Sequence, residues 1–202
     1  MPRRSRQAAA ATRSQIVEHA VDVASTHGLE GLTIGRLADD IGMSKSGLIG
    51  HFGTREALQL AALDRAIERF REEVWDRVAA QPEGVVRLRA LADAWIAHLE
   101  RGVFPGGCFL TAASLEFDDR PGPVRDRVAE TMRLWLRVVA RDARVAIARG
   151  DLPPHPEPEQ LAFELNALVM AANWGARLHR DEEAFARARI AVIRLLGGRG
   201  AS

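Results

Sequence analysis

Apolar residues recur at intervals of three and four along almost the whole chain, and strict alternation is nearly absent. That periodicity is the mark of amphipathic helices and not of strands. A first stripe of Ile16, Ala20, Val23 and Ala24 stops at His27-Gly28, where glycine suits a helix C-terminus. A short helix is predicted from about Thr33, its N-cap, to Ile41, and Gly42 breaks it. Ser44 caps a second short helix to about His51, ended by Gly53. Thr54 caps a longer one through Leu58, Ala61, Ala62, Ala66, Phe70 and Trp75, fading near Gln81-Pro82.

Beyond Gly84 the pattern predicts helices over 85–100, 108–117, 124–149, 159–179 and 181–196. A Gly/Pro elbow at 103–107 and a turn at 118–123 separate the earlier ones. The loop 151–158 holds Pro153, Pro154, Pro156 and Pro158, which no regular element accepts. An all-α protein is expected, with a three-helix head over 1–55 and a helical body over 56–202.

Composition adds limits. The chain has 202 residues, 47% of them hydrophobic, enough for a genuine core. No run of about 20 uncharged apolar residues is present to span a bilayer, and the basic start leads into an amphipathic segment instead of a signal peptide. A soluble, cytoplasmic protein is expected. The lone Cys108 cannot form an internal disulfide and suits a reducing compartment. Net charge is only +1, but Arg3, Arg4, Arg6 and Arg13 crowd the start with no acid among them. A near-neutral body with a basic tip fits a DNA binder, as it also fits any frayed basic terminus.

The segment 37–51 carries the sharpest signal. Two helices that cross steeply need a small residue where their backbones meet, and Ala38 supplies it. Gly42, four positions on, supplies the positive φ that the turn requires. Leu37, Ile41, Met43 and Leu48 are the expected core of this helix-turn-helix, which presents its second helix outward to a major groove. Lys45, the chain's single lysine, stands at the N-terminal end of that helix. The macrodipole disfavours a cation there, so a phosphate in front of it would explain the placement; a solvated surface lysine is the plainer alternative. Thr33, His51 and Arg55 also suit phosphate contact, and Ser44 joins the DNA-facing set as the cap of the same helix.

The segment from Ile16 to Leu63 resembles the head of the tetracycline-repressor-like (TetR) family. The matching residues are Gly31-Leu32-Thr33-Ile34, Leu37-Ala38, Ile41 to Lys45, Leu48 and His51 to Leu58. The resemblance implies that Thr33, Lys45 and His51 touch phosphates while Ser46, Gly47 and Ile49 face the groove. It also implies a body that binds a small effector and dimerises. One departure stands out: the family usually has a tyrosine where this chain has Ile49, and the chain contains no tyrosine. Ile49 could instead touch a thymine methyl.

In the body, an effector pocket is expected among Trp95, His98, Phe109, Met132, Trp135, Asn166, Met170, Asn173 and Trp174, although aromatic and Met stripes also describe plain core. The apolar surplus on the last two helices, including Leu161, Leu165, Leu168, Val169, Ala172, Phe185, Ala188, Val192, Leu195 and Leu196, suggests a four-helix homodimer interface. Enzyme chemistry finds little support. His98, Glu116, Asp118, Asp119 and His155 form no nucleophile–base or HExxH pattern, and no phosphate loop follows a strand. No cofactor or metal is expected. The reading is a regulator of duplex DNA, most simply a repressor released from a palindromic operator by a small, mainly apolar effector. The alternatives are a ligand-independent regulator and a redox-responsive one acting through Cys108.

Overall fold

The computed structural model describes residues 3–152 and 157–197, with only the backbone of residues 3–6. His155 and three of the four loop prolines therefore lie outside the described residues, as do the side chains of Arg3, Arg4 and Arg6. The described residues are helical throughout, with no strand: α1 (Arg3–His27), α2 (Ile34–Asp40), α3 (Lys45–Phe52), α4 (Arg55–Phe70), α5 (Val85–Glu100), α6 (Phe109–Phe117), α7 (Pro123–Ala148), α8 (Pro158–Leu178) and α9 (Ala184–Leu195). None of these helices is long and apolar enough to cross a membrane.

By compactness the chain forms two units. One unit comprises Met1–Arg69 with Phe104–Ala129, the other Phe70–Val103 with Glu130–Ser202. Helix α4 ends at Phe70, where five residues, Arg71–Trp75, continue as a π-helix, so the uninterrupted helix expected through Trp75 is corrected. Helix α1 begins far upstream of Ile16, the first buried residue among its described side chains, and extends the basic start as helix.

In the first unit the local code is legible. Thr33 Oγ1 accepts the Arg36 amide at 3.2 Å, Ser44 Oγ accepts that of Gly47 at 3.1 Å, and Thr54 Oγ1 that of Ala57 at 3.1 Å. Each satisfies an orphan N–H of a first turn, a contribution of about 1 kcal/mol. Between α2 and α3, Gly42 takes φ +67 and the Met43 amide donates to the Ala38 carbonyl at 2.9 Å. Leu37, Ala38, Leu48 and Phe52 are buried. Ile41 and Met43 are only half-buried, so Phe52 replaces them as the inner residue of this small core. Helix α4 is tied to α1 by Arg65 and Arg69, which both donate to Glu18, while Arg69 also reaches Asp22 at 2.8 Å.

The second unit is organised around α5, which packs on α8 and α9. Leu88, Leu91, Ile96, Leu161, Leu165 and Leu196 are fully buried there, each contributing roughly 1.5–3 kcal/mol. A buried ion pair sits beside them. Arg87 grips Asp142 with two hydrogen bonds of 2.8 Å, and the Gly84 amide donates to the same carboxylate at 3.0 Å. Gly84 needs its φ of +103 to aim that amide.

Candidate nucleic-acid interface and effector site

Of the expected DNA-facing residues, Thr33, Ser44, Lys45, Ser46 and Ile49 are exposed and Gly47 and His51 half-buried. Lys45 opens α3, and its aliphatic stem runs close to Gly35 of α2, where a Cβ would stand 3.4 Å from Cε. The ammonium nitrogen lies alongside the same glycine, 3.5 Å from that Cβ position, so the absence of a side chain at Gly35 gives the whole Lys45 side chain room to lie along α2. Ile49 is 47% exposed, and Gly50 beside it has open space where a side chain would be. The face of α3 is thus flat and accessible around Ser46, Ile49 and Gly50.

Arg55 is tied to a neighbouring turn. Its Nε donates to the Leu32 carbonyl at 3.2 Å, its Nη2 donates to the Glu30 carbonyl, and the same nitrogen pairs with the Glu30 carboxylate at 3.2 Å. A guanidinium with three acceptors in the 29–32 turn ties α4 to that turn, and the residue remains exposed. Arg13, by contrast, lies over the Phe52 ring at 4.8 Å, a cation–π contact that holds the middle of α1 against the end of α3.

Glu116 belongs to the first unit, where it accepts the amides of Leu29 and Glu30 at 2.8 and 2.7 Å. Nothing in the local sequence foretells that partnership across 87 residues. Cys108 is buried, and desolvation pushes its thiol up, against hydrogen bonds involving Thr111 and Leu110 that lower it. A protonated, inaccessible thiol is a poor target for peroxide. Burial and the raised thiol both weigh against the redox reading.

The expected effector residues belong to both units. Phe109 is buried in the first unit, its ring 5.6 Å from Phe104. Trp95, His98 and Trp135 come together in the second unit around a residue absent from the expected set, Phe70. Phe70 meets Trp135 at 5.1 Å, His98 at 5.4 Å and Trp95 at 6.2 Å, all edge-to-face, and Trp95 meets Trp135 at 4.9 Å. Phe70 stands where α4 changes to the π turn, a local widening that often marks functional positions. Met132, Met170 and Asn173 are half-buried on α7 and α8, as is Asn166, whose Oδ1 is shielded and without a partner. Trp174 is 60% exposed and cannot line an interior pocket.

The apolar surplus of α8 and α9 also falls on different residues from those expected. Leu161, Leu165, Val169, Ala172, Ala188, Val192 and Leu196 are buried within the chain. The uncovered residues are Phe163, Trp174, Leu178, Ile190 and Ile193. Periodicity marks both faces as apolar but does not say which one the chain itself covers.

Comparison with known proteins agrees with this arrangement. A family model described as bacterial regulatory proteins, tetR family, matches residues 16–62, and one for the tetracyclin repressor-like C-terminal domain matches 84–192. The HTH-type transcriptional repressor ComR of Escherichia coli (strain K12) is 25% identical over 168 residues, covering 82% of this chain and 79% of ComR. The crystal structure of a TetR transcriptional regulator from Chloroflexus aurantiacus J-10-FL superposes with a TM-score of 0.85 at 26% identity, covering 93% of this chain and 95% of that one. AibR, crystallised with isovaleryl coenzyme A and operator DNA, shares the fold with a TM-score of 0.75 at 22% identity, covering 93% and 99%.

Proposed function

The chain belongs to the tetracycline-repressor family of transcriptional regulators, and from that premise we propose that it is a dimeric repressor released from a palindromic operator by a small effector. The observation that carries this reading is the face of α3. Lys45 stands at its start, and exposed Ser46, Ile49 and Gly50 follow where a recognition helix meets base edges. Thr33, Ser44, Lys45 and His51 position the head on phosphates, and Ser46, Gly47 and Ile49 face the groove. Without tyrosine, Ile49 supplies an apolar contact suited to a thymine methyl. Residues 1–55 serve as the reading head and 56–202 as the sensing and pairing body.

A second copy is the natural cover for Phe163, Trp174, Leu178, Ile190 and Ile193, whose exposure supports pairing through α8 and α9. Two-fold symmetry then asks for two half-sites spaced by the helical repeat of DNA. Release is a population shift: the effector binds the DNA-incompetent arrangement better, and the operator affinity falls by the same coupling factor. The repressor ComR and the operator-bound AibR support the direction of this reading.

Selection of random duplexes by the purified protein tests it. Enrichment of an inverted repeat bound by two chains is the expected result. Failure to enrich any sequence, or enrichment of a single non-repeated site bound by one chain, overturns it.

A further inference from the structure

The guanidinium of Arg13 shares a groove with three carboxylates and pairs with none of them. The groove runs between α1 and α4 and is lined by Arg13, Glu18, Asp64 and Glu68 among others. Each of those acids already has another arginine. Glu18 is held by Arg65 and Arg69, Asp64 by Arg127 at 2.7 Å, and Glu68 by Arg65 at 3.5 Å. The other described arginines of the head are paired as well, Arg36 with Asp40 at 3.9 Å and Arg55 with Glu30 at 3.2 Å. Arg13 is exposed and sits over the ring of Phe52, 4.8 Å from its centroid. No acid precedes Glu18 in the chain, so the start of α1 adds no repulsion toward a polyanion.

Phe52 fixes where that charge stands. It is the last residue of α3 and is buried in the core of the helix-turn-helix. A cation held on its ring therefore stays at the opposite end of α3 from Lys45. The 8 residues of α3 span about 12 Å, close to the major groove's width of about 12 Å. Cations at both ends can meet phosphates on both walls of the groove at once. His51, next to Phe52, stands at the same end as Arg13. A planar guanidinium supported on an aromatic face keeps its N–H donors for a phosphate, and Arg13 has no hydrogen-bond acceptor among the described residues. We propose that Arg13 contacts a phosphate of the operator backbone, positioned by Phe52, so that Arg13 and Lys45 bracket α3 from its two ends. The inference rests on the reading of α3 as the recognition helix and adds to it a contact from α1.

Salt titrations of duplex affinity in the full-length protein test it. Fluorescence anisotropy follows two labelled probes, a random-sequence duplex and the inverted repeat recovered by selection. The slope of log affinity against log salt counts the phosphates neutralised. Arg13→Gln is expected to lower that slope by about 0.9 on both probes, and Arg13→Lys, which keeps the charge, to restore most of it. Combining Arg13→Gln with Lys45→Ala should lower it by about 1.8. Phe52→Leu keeps an apolar core residue and removes the ring. It should lower the slope in the wild-type background and leave it unchanged in the Arg13→Gln background. An unchanged slope in Arg13→Gln, with affinity falling only as the melting temperature falls, would make Arg13 a packing residue and overturn the inference. A slope for Arg13→Lys as low as that for Arg13→Gln would overturn it too. Equal slopes for Phe52→Leu and wild type would overturn the positioning by the ring. Wild-type protein that binds neither probe sinks the reading of α3 itself, an outcome distinct from wild-type binding whose slope ignores Arg13.

Discussion

The carboxylate of Glu116 clasps the turn that follows α1, one oxygen accepting the Leu29 amide at 2.8 Å and the other the Glu30 amide at 2.7 Å. This turn leads directly into Thr33 and α2, so a side chain on α6 sets how the helix-turn-helix leaves α1. Gly28 makes the contact possible. Its φ is +76, and a Cβ there would lie 2.6 Å from Glu116 Oε1. Glu116→Ala leaves two amides without their acceptor and should cost about 1–3 kcal/mol of stability, with weakened operator binding because the turn is loosened. Gly28→Ala should act in the same direction by displacing the carboxylate. Chemical denaturation and anisotropy check both. Unchanged stability in Glu116→Ala would show that water replaces the clasp.

Lys45 and Arg55 lie ten residues apart in the head and should respond oppositely. Lys45→Ala is expected to weaken binding to all duplexes and to lower the salt slope of the affinity by about one, leaving the melting temperature nearly unchanged. Arg55→Ala should lower the melting temperature and leave the salt slope alone, because its guanidinium is committed to Glu30 and Leu32. A salt titration of each variant alongside a thermal melt separates the two roles.

The Arg87–Asp142 pair is buried, with Asp142 fully enclosed. Asp142 holds Arg87 strongly charged, its hydrogen bonds outweighing desolvation. Asp142→Ala removes the partner of a buried charge and the acceptor of the Gly84 amide, an expected loss of about 3–5 kcal/mol. Arg87→Met with Asp142→Leu should recover much of that loss, since apolar replacement of both partners removes the uncompensated charge. Denaturant midpoints of the single and double variants decide it.

Acid should loosen α1 from α4. Burial works to raise Glu18, but hydrogen bonds from Arg69 and Arg65 outweigh it and hold the carboxyl below its ordinary value. A lowered folded value means the pair stabilises fully above the unfolded glutamate value of about 4.3 and that this contribution is lost as pH falls through the folded value. Glu18→Gln should therefore lower the melting temperature at neutral pH and flatten its decline below about pH 4.5. Parallel slopes in wild type and variant would assign the acid sensitivity elsewhere.

Residue order alone determined the helical class, the three caps at Thr33, Ser44 and Thr54, the Ala38–Gly42 turn and the outward helix that begins at Lys45. These are short-range matters: a cap bonds an amide three residues on, a glycine relieves its own φ, and periodicity repeats within one helix. Tertiary structure decided the remainder. It tied Arg55 to Leu32 across 23 residues, brought Phe70 to Trp95 and Trp135, gave Glu116 to Leu29 across 87 residues and gave Asp142 to Arg87 across 55. It also chose which apolar face of α8 and α9 stays uncovered. A polar or aromatic side chain carries no local sign of its distant partner. Only packing, which weighs every buried group against the others at once, assigns it.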